Sequence, residues 1–146
     1  MTLLDIQQAL VDAIRAVPSL GGADVLAEAP CDIVAERDAN FARQRICVVV
    51  GPASFACHSS SARTIVGKAR LEAVVYEQPS RNRIAQAMGG QTVTGVAESV
   101  ADGANLDRFD GGVFVCAGIG GVERVDEKTV SRAVVFETIV TLDPTF

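Results

Sequence analysis

Cys57 and His58 stand side by side, just ahead of the polar run Ser59-Ser60-Ser61. A thiol beside an imidazole suggests nucleophilic catalysis, in which the imidazole takes the thiol proton. That chemistry needs the two side chains to converge, normally from separate segments. Adjacent residues of an extended chain point to opposite faces, so the pair reads instead as a loop histidine beside a free thiol. The remaining cysteines are Cys31, Cys47 and Cys116, and the four are separated by 16, 10 and 59 positions. No C-x-x-C pair exists, so the spacing of a structural zinc site is missing. Cys47 lies within Ile46-Cys47-Val48-Val49-Val50 and Cys116 within Val113-Phe114-Val115-Cys116-Ala117. Both read as small hydrophobes inside strands.

The carboxylates Glu72, Glu77, Glu123 and Glu137 fall in strand-like segments and could in principle divide the roles of acid and base. Nothing in their spacing brings two of them to one pocket, so they read as a solvated face or as ion pairs across an interface. Gly118-Ile119-Gly120-Gly121 approaches G-x-G-x-x-G, but the sixth position is Glu123 and no helix pattern follows. The glycines predict a tight hairpin turn instead. G-x-x-x-x-G-K-[ST], G-x-S-x-G, H-E-x-x-H and D-x-D-x-D-G are all missing. These readings predict a protein that is not an enzyme and that uses no metal and no cofactor.

The elements that hold these residues are legible from periodicity. Leu3, Ile6, Leu10, Ile14 and Val17, with Val11, make the stripe of an amphipathic helix over 2–17. Thr2 and Asp5 give it a capping-box start, and Pro18 with Gly21-Gly22 stops it. Residues 25–29 predict a short extended segment before Pro30, and Asp32 a cap for a weakly patterned helix over 33–44. Ile46–Val50 is a continuous β-branched run, the mark of a central strand buried on both faces. Residues 53–57 either continue it or return, and small polar residues over 53–63 suggest a loop that orders on assembly.

Residues 63–77 read as a long strand. Ile65, Gly67, Ala69, Leu71, Ala73 and Val75 take the inner face, and Arg63, Lys68, Arg70 and Glu72 take or approach the outer one. Ser80 caps a further helix running to Met88, and a second helix follows over 92–101, closed by Gly103 and Asn105. Asp110-Gly111-Gly112 is a turn signal, 113–119 a strand, Gly120-Gly121 a turn and 122–125 a short strand. The closing strand, 130–142, is apolar on both faces, through Val134, Phe136, Val140 and Leu142 on one and Val135 and Ile139 on the other. It is therefore expected to be covered on both sides, by helices or by neighbouring chains. The whole predicts a single α+β domain over 1–146, a mostly antiparallel sheet with N-terminal and central helices packed on it.

At 146 residues the chain is one core's worth. Apolar residues are 49%, charged residues 21% and aromatic residues 5%, with no Trp, so the core is aliphatic. Lys and Arg total 13 against 18 Asp and Glu, a net charge of -5. Sequence-specific nucleic-acid binders and membrane-surface proteins are usually basic, so both are disfavoured. No apolar run reaches the roughly 18–20 residues of a membrane helix. The start, Met-Thr-Leu-Leu-Asp, has no basic n-region, and free thiols point to a cytosolic folding environment. Arg outnumbers Lys eleven to two. Arg suits bidentate contacts at protein interfaces, although a GC-rich genome produces the same bias.

Several segments together resemble small tail terminator (tail completion) proteins of tailed phages. They are the N-terminal helix, the strand Ile46-Cys47-Val48-Val49-Val50-Gly51-Pro52, the long charged strand ending in Tyr76-Glu77-Gln78-Pro79-Ser80-Arg81-Asn82-Arg83, the following helices, and Ser131-Arg132-Ala133-Val134-Val135-Phe136-Glu137-Thr138. The resemblance covers nearly the whole chain and rests on element order and on the E-x-P-x-x-N-R segment. It implies a homo-oligomer, usually a hexameric ring, at the head-proximal end of the tail tube. Such a ring stops tube polymerisation and offers the surface that joins the head. The implied partners are further copies of the chain, the tail tube protein and a head-connector protein, with DNA passing through the ring. The implied location is the virion tail, after synthesis in the host cytoplasm.

Other stations in the neck or minor tail share such folds and form the alternative, followed by a small ligand-binding domain or enzyme. The candidate assembly-interface residues are Arg63, Lys68, Arg70, Glu72, Arg81 and Arg83. They belong to the outward face of the 63–77 strand, to the 57–63 loop beside it, and to the segment that follows Pro79.

Overall fold

Thr2 starts the first helix with the expected box. In the computed structural model of the chain, which describes residues 2–20, 24–28, 46–61, 64–79 and 92–142, its hydroxyl accepts the Asp5 N–H at 3.2 Å. The Asp5 carboxylate accepts the Thr2 N–H at 2.8 Å in return. The bond from the Thr2 backbone, and then the one from its hydroxyl, hold the Asp5 carboxyl below its ordinary range. Helix α1 runs Leu3–Arg15 and turns into a 3-10 segment, Pro18–Leu20. It buries Ile6, Leu10, Val11 and Ile14 as its stripe predicts. It also buries Gln7, whose Nε2 donates to the carbonyls of Glu28 at 2.8 Å and Val50 at 2.9 Å. Those carbonyls close strands β1 (Asp24–Ala27) and β2 (Ile46–Val50), so one buried amide ties the helix to both strand ends.

The main sheet has seven strands. β3 (Ser54–Ser61), β4 (Thr64–Glu77), β7 (Val115–Ile119), β8 (Glu123–Arg124) and β9 (Val130–Leu142) join β1 and β2 in the order β1-β2-β4-β9-β7, with β3 also on β4 and β8 also on β9. Among the described strands only β1 and β2 run parallel; every other pair is antiparallel. A separate hairpin, β5 (Arg108–Phe109) and β6 (Gly112–Val113), turns at Asp110-Gly111, where Gly111 takes φ 128°. The α+β expectation therefore holds, with a mixed but mostly antiparallel sheet.

Helix α2 (Val93–Ala104) begins at Thr92, whose hydroxyl accepts the Gly95 N–H. Both described helices lie on one face of the sheet, α1 over β1 and β2, and α2 over β4, β7 and β9. Ile46, Val48, Val50, Leu71, Ala73, Val75, Val134 and Phe136 fill the space beneath them. Phe114 packs edge-on against Phe136, with centroids 6.5 Å apart, and stacks on Phe109 at 4.5 Å. Within α2 the stripe is Val93, Val96, Ala97 and Val100, as the pattern predicts.

Several expectations are corrected. Gly103 does not close α2; it lies inside the helix, where an added Cβ would sit 2.6 Å from a Val17 methyl. It is the bare spot that lets the end of α1 approach. Gly120-Gly121 is not a hairpin turn either. β7 and β8 both run antiparallel to β9, at Ile119↔Val134 and Glu123↔Ser131, so the chain continues in one direction across the glycines. The reversal comes later, where Asp126 Oδ1 accepts the N–H groups of Lys128 and Thr129.

Gly51–Ala53 makes a matching break on the other side. β2 and β3 both follow β4, with Val50↔Ala73 and then Ser54↔Arg70. Glycine breaks a ladder without having to reverse it, and sequence does not separate the two uses. Ser59-Ser60-Ser61 is likewise strand, paired with Val66, Ile65 and Thr64, and not a loop tip. The strand expected over 113–119 is split at Phe114 between β6 and β7. The helices expected over 33–44 and from Ser80 to Met88 lie outside the described residues.

Candidate assembly interface

β4 and β9 pair along thirteen positions, from Ile65↔Leu142 to Glu77↔Val130. This register decides what the outer face carries. Lys68, Arg70 and Glu72 point away from the helices, as their parity predicts. Glu137, directly opposite Arg70, forms ion pairs with both cations, with Lys68 Nζ at 3.5 Å and Arg70 Nη1 at 3.7 Å. The side chains of Lys68 and Arg70 are 43% and 56% exposed. Such pairs contribute only about 0.2–1 kcal/mol each, so the fold does not depend on them. Glu72 is exposed beside them. Among the described residues this face therefore joins three of the six candidates. Arg63, Arg81 and Arg83 lie outside the described residues.

Two open grooves flank the ion pairs. One, of 560 Å³, has Val113, Val115 and Ile139 for its walls and Lys68 and Glu137 at its rim. The other, of 260 Å³, lies between Glu28, Ser54, Arg70, Glu72 and Tyr76. Ile139 is 53% exposed. The Val135/Ile139 side of β9 is thus not covered by either described helix, so of the two covers expected from the sequence only neighbouring chains remain for it among the described residues. The reason is that α1 and α2 pack on the same face.

The residues that could have done chemistry are held apart. His58 drops out of the β3–β4 register, which jumps from Cys57↔Gly67 to Ser59↔Val66. The Cys57 thiol donates to the Ser59 carbonyl at 3.4 Å. Cys47 is buried and Cys116 half-buried, close to the core reading of both. Cys31 lies outside the described residues. Glu123 is exposed on β8. Glu77 overturns the reading of the carboxylates as a solvated face. It is 2% exposed, on the inner face, and its Oε1 accepts the Val93 N–H at 3.0 Å. Val93 opens α2, so Glu77 answers one of the four unpaired donors at a helix start. Pro79, two residues on, disguises this role as an exposed strand end.

Among the described residues no group of three or more His, Cys, Asp or Glu could hold a metal ion. No helix among them is long and apolar enough to cross a membrane.

Gly67 lies on the inner face of β4, where β3 pairs with it. A Cβ there would overlap the Ala56 carbonyl oxygen and come within 2.8 Å of the Phe55 ring. Backbone cannot yield as a flexible side chain can. Gly67→Val is expected to lower stability in urea denaturation by about 1–3 kcal/mol, as over-packing does, and to loosen amide protection along β3 ahead of the rest of the sheet.

No family model matches the sequence, and no curated protein matches it at a significant level. The fold does match. Over 97% of this chain and 98% of the other, it superposes on a chain from the virion of a native gene transfer agent particle, with a TM-score of 0.63 at 17% identity. The two share a fold from end to end.

Proposed function

We propose that this protein is a virion assembly protein that caps the tail tube as a ring, ends tube polymerisation and presents the head-joining surface. The observation that carries the reading is the end-to-end likeness to a chain of a gene transfer agent virion. The outer sheet face also supports it, with exposed, weakly engaged charges between two open grooves. Such a face suits contact with another protein better than it suits a small molecule. The protein acts by surface complementarity and not as an enzyme, and it needs no cofactor. Its partners are further copies of itself, the tail tube protein and a head connector. It resides in the virion tail, after synthesis in the host cytoplasm.

The physical requirement on a cap is asymmetry. One side must match the last ring of the tube, and the other must fail to template the next. The net charge of -5 suits a lumen through which DNA passes without sticking.

Charge reversal on the outer face tests the reading. Lys68→Glu with Arg70→Glu places three carboxylates together at Glu137. The melting free energy is expected to change by no more than about 1–2 kcal/mol, because the pairs are exposed. Binding to purified tail tubes, followed by light scattering and negative-stain microscopy, is expected to fall at least tenfold. Unaltered tube capping by this variant removes the face from the interface. Failure of the unaltered protein to bind tubes removes the capping function.

A further inference from the structure

Among the described residues the seven-stranded sheet has two open borders of the same character. On one side β3, residues 54–61, pairs only with β4 among the described strands. Its eight residues, Ser-Phe-Ala-Cys-His-Ser-Ser-Ser, include no Lys, Arg, Asp, Glu or Pro. All but Phe55 are exposed. On the other side the segment 115–122, Val-Cys-Ala-Gly-Ile-Gly-Gly-Val, is equally without charge or proline. It exposes Val115 at 46%, Ile119 at 38% and Val122 at 52%. Solitary proteins usually blunt such edges with charge or proline, because bare strand borders recruit further strands. Here the charges sit on the sheet face and on 123–128 instead.

Part of the second border is already used. Phe114 exchanges backbone bonds with Leu106 and Asp107, and the Cys116 N–H donates to the Asn105 side chain at 3.0 Å. The accessible stretch therefore begins at Ala117, which a bulge drops from the β9 ladder.

Strand direction selects the occupant. β3 is antiparallel to β4, β4 to β9, and β9 to β7, so β3 and β7 run in opposite directions within one chain. A second copy placed alongside, without being turned over, brings its β3 antiparallel to this β7, the pairing that dominates the sheet. A single head-to-tail contact of this kind covers both borders of every copy. A two-fold contact through β3 alone leaves the apolar 117–122 border bare. Head-to-tail contacts close into rings when the rotation permits.

We propose that the β3 border of one copy docks antiparallel along residues 117–122 of the next copy. The proposal rests on the self-assembly reading above and adds the surface by which copies join. Its test uses the full chain with Cys31→Ser and Cys116→Ser, which leaves Cys57 on one border, and adds Ala117→Cys on the other. A short bis-maleimide, which tolerates a residue or two of register, is applied to the protein alone and with tail tubes. Light scattering reports the assembled mass in parallel.

The expected result is a ladder of cross-linked species ending at the ring size, collapsing to monomer when Cys57→Ser is added. Independently, Ser60→Lys on β3 is expected to reduce assembly at least tenfold without shifting the monomer's thermal melt. Assemblies that yield only Cys57–Cys57 dimers, or that form without any cross-link and tolerate Ser60→Lys, overturn the proposed surface and leave self-assembly standing. A monomer in every condition, tubes included, overturns self-assembly and the surface with it.

Discussion

Glu77→Ala is expected to lower the unfolding free energy by about 2–4 kcal/mol, among the largest effects of any single polar replacement in this chain. The deletion leaves the buried Val93 N–H without its acceptor at 3.0 Å, a loss of about 1–3 kcal/mol. It also removes a carboxylate from a helix start, worth about 0.3–2 kcal/mol depending on burial. Glu77→Gln keeps an oxygen of the same reach and is expected to lose roughly half as much. Urea denaturation at neutral pH distinguishes the two. Equal losses in both variants mean that charge dominates, and no loss in either means that the bond does not anchor α2. Hydrogen exchange adds a spatial check, because opening should concentrate in α2 and spare α1.

Phe136→Ala is expected to cost about 3–5 kcal/mol, the range for truncating a fully buried aromatic. Phe136 is fully buried, between the β4–β9 ladder and the Phe114 ring, and Phe114 in turn stacks on Phe109. The cavity therefore opens beneath the β5–β6 hairpin. Phe136→Leu keeps most of the volume and is expected to lose less than half as much. A domain of this size typically has about 5–15 kcal/mol in hand, so the alanine variant lies near the limit of folding. A loss under about 1 kcal/mol in chemical denaturation would contradict the packing described here.

These two replacements act on the inner face. Lys68, Arg70 and Glu137 act on the outer one, where stability is nearly indifferent to charge. The separation follows from both described helices lying on one side of the sheet, and it makes the functional tests clean. A change on the outer face or at a bare border alters assembly while the folded monomer persists.

What the sequence determined on its own is the local and periodic part. The Thr2/Asp5 box, the stripe of α1, the buried run Ile46–Val50, the alternation of β4, the stripe of α2 and the extent of β9 are all visible, because each is set by neighbours within a turn or by a period of 2 or 3.6. The outward placement of Lys68, Arg70 and Glu72 follows from the same parity. The resemblance to tail terminators rests on this order of elements, and the chain of the gene transfer agent virion shares the fold that this order builds.

Tertiary structure alone decided the rest. Gly51 and Gly120-Gly121 look like turn signals, yet each interrupts a strand that runs on, because a longer partner, β4 or β9, carries the ladder past the break. Glu77 looks like a solvated strand carboxylate, and becomes a buried helix cap only when the start of α2 is brought to it from sixteen residues away. Gln7 looks like a surface residue of an amphipathic helix, and is buried because two strand ends present carbonyls beneath it that its side-chain amide reaches. The Glu137 partner of Lys68 and Arg70 lies some seventy residues distant and is selected by the β4–β9 register. That register, summed along thirteen pairs, is a property of the sheet as a whole, and no window of sequence contains it.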